Sequence, residues 1–504
     1  MAWSPTLQQG NESSKIKYEI VPYTRGTVLE LGSGPWRTYP HFITVDNLDE
    51  WGGNWKPDIN RDATNLSIFA SQSCDSVFSS HLLEHIEDTE SVLKEWWRVI
   101  KPNGYLVLYL PHKDFYPNIG QEGANPDHVH DFSPADIISI MKGVGNWDLI
   151  VSESRNQKDE YSFLQVYKKS GKDHKFSYTE SPPEKSCGIV RYGGFGDMIQ
   201  ITPILKSLKD QGYHITVYTT PSAMEVIRFD PCVDEFVLQD RDQVPNHELV
   251  YFWETISKRH DKFINFSETV EGAFLALEGR PPFGWNSQAR HAYMNHNYEE
   301  FAHLIAGVPM KYGPVFTETI KESEWAKKYR NKIDGRLIMI VLAGSSVHKV
   351  YPHIDQVIAY YLYHFDNVRF MFVGEGHEGY KFLEYPWINE PRVLKRCGRF
   401  TIRETMALAK RCDLVFGPET GVLNAVSHED VPKVITLSHS SVENLTNHWK
   451  NCVSLTPEGC ECYPCHKMIY GFDHCNRDDE LGVAKCQARI SPESAISAIG
   501  RFLE

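Results

Sequence analysis

Short apolar segments alternate with amphipathic ones along this chain, and this alternation constrains its fold more than any other feature. We interpret the apolar segments as strands. They fall into three series: 27–32, 42–47, 75–80 and 105–111; then 187–193, 214–220, 234–239, 248–253 and 262–268; then 336–344, 368–376, 413–419 and 433–438. In the first series TESVLKEWWRVI (89–100) has the apolar spacing of a helix. Strands separated by helices favour parallel, doubly wound sheets. The sequence therefore predicts an α/β protein with three nucleotide-binding-type sheets in a row.

The chain has 504 residues, which is too long for a single hydrophobic core. A polar stretch with Gly, Ser, a Pro pair and charges, residues 168–186, separates the first series of strands from the second. Its composition is that of a linker. We therefore predict the following organisation: a first domain over 1–170, a linker over 171–186, a second domain over 187–330, and a third over 331–504 with a cysteine-rich finger at 452–486.

The composition indicates a globular enzyme rather than a membrane or nucleic-acid-binding protein. Lys and Arg number 52 against 66 Asp and Glu, and the net charge of −14 would repel a phosphate backbone. No apolar run reaches the roughly 18–20 residues that span a bilayer. The N-terminus lacks a basic segment followed by an apolar one, as a secretory signal would have. We expect a cytoplasmic protein with no membrane span, for which nucleic acid is an unfavourable partner.

The segment VLELGSG places an acidic residue and two glycines at the end of the first predicted strand. Glycines at Gly32 and Gly34 would let the backbone approach a ligand closely at the carboxyl edge of a sheet, next to Glu30. The following strand ends in Asp46, which is placed to accept two hydrogen bonds from a ribose diol. NAD competes as the ligand, but Arg37 occupies the third glycine position of its GxGxxG fingerprint.

With Asp62-Ala63 and CDSVFSSHLLEHI, these motifs resemble the class I S-adenosylmethionine-dependent methyltransferases over about residues 20–150. The resemblance implies S-adenosylmethionine as cofactor. It also implies these roles: Glu30, Gly32 and Gly34 at the methionine part, Asp46 at the ribose, Asp62 at the adenine amine, and Ser80 or His81 at the edge of the site. The loop before Asp46 contains Pro35 and Pro40, so we expect the first helix to be nearly absent. A methyltransferase-like domain without catalytic activity therefore stays open as an alternative.

Four histidines of this domain, His81, His85, His128 and His130, are candidates for a base or a metal site. Paired histidines in a segment such as DHVHDF belong more often to a polar loop than to a metal centre. We therefore interpret His128 and His130 as loop residues.

The segment GGFGDMIQITPILKSLK begins a second motif. Ile201, Ile204, Leu205 and Leu208 share one helical face, which places Asp197 in the loop or first turn. A carboxylate there benefits from the positive end of the helix dipole and is placed to act as a general base. A helix N-cap is the alternative interpretation of Asp197.

With DPCVDEFV (230–237), LAGSSVHKVYP (342–352) and GPETGVLNAVSHEDVPKVITL (417–437), this segment resembles the bacterial heptosyltransferases of glycosyltransferase family 9, over about residues 186–504. The resemblance implies a GT-B fold, two facing Rossmann-like domains, and inverting transfer without a divalent ion. The implied catalytic residues are Asp197, as base, and Lys349, near the donor phosphates. The implied nucleotide-sugar contacts are Gly196, Lys349, Glu375, Thr420, Gly421, Leu423 and Asn424. Glu419 and Asn424 depart from the family, which commonly has Asp and His there.

Six of the eleven cysteines fall between Cys452 and Cys486. Cys462 and Cys465 form a CxxC pair, and later thiolates could complete a tetrahedral site for zinc or iron. The predicted ligands are Cys462, Cys465, Cys475 and Cys486, with Cys460 as an alternative and His466 or His474 as substitutes. Free cysteines and disulfides stay open as alternatives. The finger is also similar to that of the autotransporter heptosyltransferases, which implies a structural iron and ADP-heptose as donor.

The sequence thus predicts a bifunctional enzyme of glycan or glycoconjugate assembly. One activity would be inverting transfer of a heptose-like sugar from a nucleotide-diphosphate sugar to a glycan or protein hydroxyl. The other would be methylation of the sugar or acceptor with S-adenosylmethionine. A homo-oligomer is compatible with the sequence. Glycosylation of nucleic acid is a further alternative, which the net charge disfavours.

Overall fold

The computed structural model describes residues 11–47, 55–157, 159–170, 185–267, 274–375 and 384–503. The chain divides into two compact units, Met1–Glu184 with Leu238–Arg259, and Lys185–Val237 with His260–Glu504. Most of the predicted linker, residues 171–184, lies outside the described residues.

The described residues form strands and helices in alternation. The strands are β1 Val28–Leu31, β2 Ile43–Asp46, β3 Ile59–Asn60, β4 Cys74–Ser80, β5 Ile100–Pro111, β6 Trp147–Gln157, β7 Glu160–Lys169, β8 Ser186–Val190, β9 His214–Thr219, β10 Glu235–Leu238, β11 Lys262–Asn265, β12 Arg336–Val341, β13 Val368–Val373, β14 Val393–Lys395, β15 Leu414–Pro418, β16 Lys433–Thr436 and β17 Cys452–Leu455. The helices are α1 Thr89–Val99, α2 Pro134–Met141, α3 Phe195–Gln200, α4 Thr202–Asp210, α5 Pro221–Ile227, α6 Leu249–Ser257, α7 Ser287–Met294, α8 Tyr298–Ala306, α9 Ile320–Arg330, α10 Ile354–His364, α11 Ile402–Ala409, α12 Gly421–Ala425, α13 Lys485–Ala488 and α14 Pro492–Leu503.

The first unit is built on a sheet with the order β3-β2-β1-β4-β5-β7-β6. Strand β1 pairs in parallel with β2 on one side and with β4 on the other, so the winding direction reverses at β1. Ligands of doubly wound sheets bind at such a reversal, beyond the carboxyl ends of the strands. Trp96 of α1 fills the core beneath this sheet, and its Nε1 donates a hydrogen bond to the carbonyl of Ala63, 2.8 Å away.

One strand of this sheet, β7, runs against the rest. Strands β6 and β7 pair antiparallel with each other, and β7 pairs antiparallel with β5. A short turn at Asp159 (φ 65°) joins them, and such a turn can connect only antiparallel neighbours. The four strands predicted for this sheet, β1, β2, β4 and β5, are parallel as expected, whereas β6 and β7 were not predicted.

Helix α6 replaces a predicted strand. Residues 248–253 were expected to form a strand, but Leu249–Ser257 is helical, with Phe252 and Ile256 buried. Because Leu249, Phe252 and Ile256 recur at helical spacing, a longer window favours the helix over the short apolar run. This segment belongs to the first unit. Asp240 pairs there with Arg25, with 2.8 Å between Nη2 and Oδ1.

The second unit contains two sheets, ordered β10-β9-β8-β11 and β14-β13-β12-β15-β16-β17. Strand β8 pairs with β9 on one side and β11 on the other, and β12 pairs with β13 and β15. Each sheet therefore has a switch point next to its first strand in sequence. The second order is that of a dinucleotide-binding fold. The prediction of three α/β sheets is confirmed. No helix within the described ranges is long and apolar enough to cross a membrane.

Candidate functional site

The carboxyl edge of the first sheet carries the predicted cofactor residues of β1. Glu30 is buried at 2% exposure, and its carboxylate accepts hydrogen bonds from the backbone N–H and the hydroxyl of Thr38. Burial raises the pKa of Glu30 to about 7, although these hydrogen bonds oppose the shift. Glu30 therefore fixes the loop that follows β1, as well as lying at the predicted site.

The glycine loop is tied to the end of β2. Asp46 Oδ2 accepts a hydrogen bond from the N–H of Gly34 at 2.7 Å. Gly32 and Gly34 have φ values of 68° and 54°, a backbone conformation that favours glycine. A carboxylate has about four acceptor positions, so Asp46 keeps positions for a second ligand such as a ribose diol. As expected, residues 33–42 contain no helix.

The remaining predicted residues of this edge differ in accessibility. Asp62 is exposed, and its carboxylate accepts from the N–H of Thr64 at 2.8 Å. The Ser80 hydroxyl is buried with no hydrogen-bond partner among the described residues. His81 has a φ of 50°, and its Nε2 lies 2.9 Å from the hydroxyl of Ser162. Burial lowers the pKa of His81 to about 3, so this imidazole is neutral.

Glu84 is a residue that the sequence analysis missed. It is completely buried, and burial raises its pKa to about 8. The ligand atoms of Glu84, His85 and His128 lie within 4.8 Å of one another. His130, predicted to be a loop residue, is half-buried and is bound through Nε2 to the carbonyl of Glu87 at 3.0 Å. The spacing of His81 and Glu84 in SSHLLEHI, three residues apart, is the sequence feature that could have indicated Glu84 as a candidate.

In the second unit, Asp197 lies in the first turn of α3, directly after β8. Its Oδ2 accepts a hydrogen bond from the N–H of Gly194 at 2.7 Å, and its Oδ1 lies 2.8 Å from Nη2 of Arg191. Arg191 is buried, whereas the Asp197 side chain is 35% exposed. A Cβ atom on Gly193 would lie 2.5 Å from that of Asp197, so this loop requires glycine. Asp197 therefore stabilises the start of the helix and also presents a carboxylate to solvent.

Helices α3 and α12 approach each other closely. A Cβ atom on Gly421 would lie 2.7 Å from Cβ of Phe195 and 3.1 Å from the backbone nitrogen of Gly196. A Cβ atom on Gly196 would in turn lie 2.9 Å from Nδ2 of Asn424. The same amide of Asn424 donates to the Thr420 carbonyl at 2.9 Å. These two glycines therefore allow the contact between the loops that follow β8 and β15.

Lys349 belongs to the loop that follows β12 and is 8% exposed. Burial lowers its pKa, while the charges of Glu419 and Asp197 act in the opposite direction. A Cβ atom on Gly344 would lie 2.7 Å from Cδ of Lys349, so the lysine stem packs on that glycine. Lys349 is therefore a buried lysine whose charged form is favoured by Glu419 and Asp197 and disfavoured by its burial.

Glu419 is the most constrained carboxylate of this edge. It is 4% exposed, forms an ion pair with His439, and accepts from the N–H groups of Ser438 and Ser440 at 2.7 and 3.2 Å. Burial alone would raise its pKa, but His439, Lys349 and these donors lower it to about 2. Glu419 is therefore ionised, and its contacts hold the loop of Ser438, His439 and Ser440 in place.

The predicted diphosphate contacts occupy the start of α12. The Thr420 hydroxyl is buried without a hydrogen-bond partner in the described part of the chain. Leu423 is fully buried in the hydrophobic core, and Asn424 is 7% exposed. Glu375 is exposed just beyond β13 and apart from this group in sequence. Thr420 can thus contact a diphosphate through its side chain, whereas Leu423 can do so only through its backbone.

The cysteines of the predicted finger have pKa values that depart from that of a free thiol. The sulfur atoms of Cys460 and Cys462 are 3.6 Å apart, and a hydrogen bond from Cys460 lowers the pKa of Cys462 to about 6. Burial raises the pKa of Cys475 to about 11, and it raises those of Cys465 and Cys486 too. The charge of Cys462 contributes to all three shifts. Among the described residues, however, these cysteines form no group of three whose sulfur atoms all lie within 4.8 Å of one another.

The two histidines that were considered as substitute ligands have other partners. Nε2 of His466 lies 3.2 Å from Nδ1 of His291, and Nε2 of His474 lies 3.3 Å from Oε1 of Glu278. Nδ1 of His466 is buried and has no hydrogen-bond partner among the described residues.

Residues 48–108 match the family model of a methyltransferase domain. A malonyl-[acyl-carrier protein] O-methyltransferase of Marinomonas sp. (strain MWYL1) is 31% identical over 98 residues, which is 19% of this chain and 36% of that protein. The match thus spans only about a third of the curated relative. The prediction of a methyltransferase domain is confirmed.

Solved structures similar to this chain include several glycosyltransferases. A family 9 glycosyltransferase from Veillonella parvula DSM 2008 has 16% identity and a TM-score of 0.46, covering 64% of this chain and 97% of that one. The ADP-heptose lipopolysaccharide heptosyltransferase II of E. coli has 12% identity and a TM-score of 0.45, covering 64% and 98%. The iron-containing dodecameric glycosyltransferase TibC from E. coli H10407 has 13% identity and a TM-score of 0.42, covering 68% and 82%. The chain contains a methyltransferase domain and a second unit of two Rossmann-like sheets, and the solved structures similar to it include a family 9 glycosyltransferase.

Proposed function

We propose that this chain is a bifunctional transferase of glycan or glycoconjugate assembly. The second unit would transfer a sugar from a nucleotide-diphosphate donor to an acceptor hydroxyl, and the first unit would methylate the sugar or the acceptor. One observation carries the sugar-transfer half: Asp197, Lys349 and Thr420 follow β8, β12 and β15, at the carboxyl edges of the two sheets. A carboxylate, a cation and an unpartnered hydroxyl are the groups that this reaction needs.

The chemistry would be a single displacement with inversion at the anomeric carbon. Asp197 would accept the proton of the acceptor hydroxyl while the oxygen forms its bond to the anomeric carbon. The bond from that carbon to the diphosphate oxygen would break, and its electron pair would leave with the phosphate. Lys349 would stabilise the leaving charge from a buried position, where a fixed cation acts more strongly than in water. Arg191 would hold the Asp197 carboxylate in place through their 2.8 Å contact.

The donor we propose is a heptose-like sugar on ADP, following the sequence resemblance. Thr420, Gly421, Leu423 and Asn424 would surround the diphosphate, and Glu375 the nucleoside. Gly196 would act through the helix contact with Asn424 more than through the sugar, because its Cα faces that side chain.

For the methyl half, S-adenosylmethionine supplies a methyl group on a sulfonium and would lie at the switch point next to β1. The donor set fits it: Asp46 keeps acceptor positions, and Gly32 and Gly34 have no side chain that would block the approach of a ligand to the backbone. Glu30, Asp62, Ser80 and His81 would complete the site. In the finger, Cys462, Cys465, Cys475 and Cys486 would hold a structural iron or zinc, with Cys460 as the alternative ligand.

The sugar-transfer half is tested by incubating the purified chain with a panel of nucleotide sugars and scoring nucleotide release and mass gain of candidate acceptors. We expect release of ADP from a heptose donor that depends on an added hydroxyl acceptor. Asp234→Asn is the matched control for Asp197→Asn. Asp234 also accepts a backbone hydrogen bond, from Ile215 at 2.7 Å, and pairs with Lys209, but it precedes β10 instead of following a strand. Failure to use any nucleotide sugar would refute this half of the proposal.

A second candidate function is favoured by one observation. Residues 33–42 contain no helix, so the helix dipole that normally favours a ligand at this edge is missing. The methyltransferase domain would then be a binding module without catalysis. Calorimetric titration of the full chain with S-adenosylmethionine separates the two. Binding followed by methyl transfer supports the enzyme, whereas no binding, or binding without turnover on any acceptor that the second unit glycosylates, supports the module.

A further inference from the structure

Glu84 is buried in the first unit without being satisfied. It lies in the turn Leu83–His85 directly after β4, and its side chain has no exposed surface. Neither of its carboxylate oxygens has a hydrogen-bond partner among the described residues. Buried polar groups in native proteins are almost always paired, and an exception of this kind often marks an ion.

Imidazoles lie around this carboxylate. Nε2 of His128 is 3.9 Å and Nδ1 of His81 is 3.8 Å from Oε1 of Glu84. The ring centroids of His85 and His128 are 4.8 Å apart. Two ligands bound at about 2.0–2.2 Å to one tetrahedral ion lie roughly 3.4 Å apart. The 3.9 Å between Glu84 and His128 exceeds a hydrogen bond, and the ligand atoms of Glu84, His85 and His128, which all lie within 4.8 Å of one another, would contract by up to about 1.4 Å around an ion.

The surrounding backbone holds these ligands in position. The carbonyl of Glu84 accepts hydrogen bonds from the N–H groups of Val129 at 2.9 Å and His130 at 3.1 Å. These bonds fix the loop that carries His128 against the turn that carries Glu84. Nδ1 of His85 lies 3.1 Å from the carbonyl of Asp127, which leaves its Nε2 as the ligand nitrogen. Such outer contacts are typical of metal-binding histidines.

We propose that Glu84, His85 and His128 bind a divalent first-row transition ion in the first unit, with His81 next to the same carboxylate oxygen. One carboxylate and two imidazoles suit Zn²⁺ or Fe²⁺ better than Mg²⁺ or Ca²⁺, which prefer oxygen ligands alone. Three protein ligands leave at least one coordination position open. This site is separate from the cysteine finger in both sequence and ligand chemistry.

The open position indicates the class of methyl acceptor, a step that rests on the proposed methyltransferase function. The ion would bind a hydroxyl or carboxylate oxygen of the acceptor, and its charge would favour loss of the hydroxyl proton to water. The acceptor oxygen would then form a bond to the methyl carbon of S-adenosylmethionine. The carbon–sulfur bond would break, and its electron pair would remain on sulfur as a neutral thioether. The acceptor would therefore be an oxygen nucleophile.

The test measures zinc stoichiometry in the full chain. Chelator-stripped protein is loaded with Zn²⁺, passed through a desalting column and analysed by mass spectrometry of metals. His85→Ala and Glu84→Gln are compared with His130→Ala, a matched control in the same loop whose ring is bound to the Glu87 carbonyl. We expect the first two variants to lose one equivalent of zinc and the control to lose none. Co²⁺ loading should show the same loss in weak visible bands, with thiolate charge-transfer bands from the finger unchanged.

Wild-type zinc content in a folded His85→Ala variant would overturn the proposal. His85 is half-buried, so this variant decides the question even if Glu84→Gln fails to fold. Zinc stoichiometry requires neither S-adenosylmethionine nor an acceptor. If the variants lose zinc but the wild type transfers no methyl group, the metal site stands and the methyltransferase function is refuted. Methyl transfer unaffected by stripping the metal would refute the acceptor role of the ion.

Discussion

Replacing Asp197 by asparagine separates the two roles of this side chain. An amide oxygen can still accept the hydrogen bond that the N–H of Gly194 donates at 2.7 Å. The substitution removes the negative charge that lies 2.8 Å from Arg191, and with it the ability to take a proton. The start of α3 should therefore survive while the chemistry is lost.

The magnitudes of the two effects are well separated. Loss of a general base lowers kcat by about 10²–10⁴-fold, which corresponds to about 2.7–5.5 kcal/mol. Loss of a charged hydrogen bond costs about 1.5–3 kcal/mol of stability. The Asp197 side chain is 35% exposed, so solvent screening places the expected cost at the low end. A domain with about 5–15 kcal/mol of stability tolerates this loss and stays folded at 25 °C.

The assay measures kcat by mass spectrometry of the glycosylated acceptor and the Kd of the nucleotide diphosphate by calorimetry. We expect Asp197→Asn to lower kcat at least about 100-fold and to leave the Kd within about twofold, because Lys349 and Thr420 are unchanged. Asp234→Asn should keep both values. A kcat within about threefold of wild type, at a stability loss no larger than that of the control, would show that another group takes the proton.

Three further results are expected. Lys349→Met should weaken binding of the nucleotide diphosphate, measured by calorimetry, by about 10- to 100-fold, since one desolvated charge contact contributes about 1.5–3 kcal/mol. Gly421→Ala should lower the free energy of unfolding in urea by about 1–3 kcal/mol through overpacking, because its Cβ would lie 2.7 Å from that of Phe195. The control Gly284→Ala has open space around it and should be near neutral. The pKa of the Glu419 carboxylate is lowered from 4.5 to about 2, so its contribution to stability should be complete above pH 4.5 and be lost as the pH falls towards 2. Glu419→Gln should flatten the dependence of the free energy of unfolding on pH in this range. An unchanged dependence would show that Glu419 is not ionised in the folded protein.

The central strands could be predicted from the sequence because buried parallel strands are continuous apolar runs. Strands β12 and β13, within RLIMIVLAG and VRFMFVGEG, are examples. The antiparallel strands β6 and β7, with eleven and ten residues, were not predicted. Two edge strands escaped prediction because they are too short to show a period. Ile59–Asn60 has two residues and Val393–Lys395 has three. Helix α6 was mistaken for a strand because a short apolar run fits both structures.

The candidate site was predicted in part, and what was missed depends on tertiary contacts. Asp197 could be named, but its partner Arg191 could not, although an arginine inside an apolar strand end requires a counter-charge when buried. Glu84 was missed because a glutamate in LEHI has the pattern of a surface turn. Its burial results from the loop around His128, more than forty residues later in the sequence.

The contact between Gly196 and Gly421 has a consequence for catalysis as well as packing. Asp197 follows the first glycine, and Thr420 precedes the second, so one backbone contact sets the distance between the proposed base and the proposed phosphate contact. Reacting atoms must approach to about 3–3.5 Å, and a displacement of about 1 Å can cost roughly 100-fold in rate. A methyl group at either position would separate α3 from α12 by an amount of this order. The absence of side chains at these two glycines is therefore best understood as a means of alignment, in which the loops after β8 and β15 hold the proposed base and the proposed phosphate contact at a fixed separation.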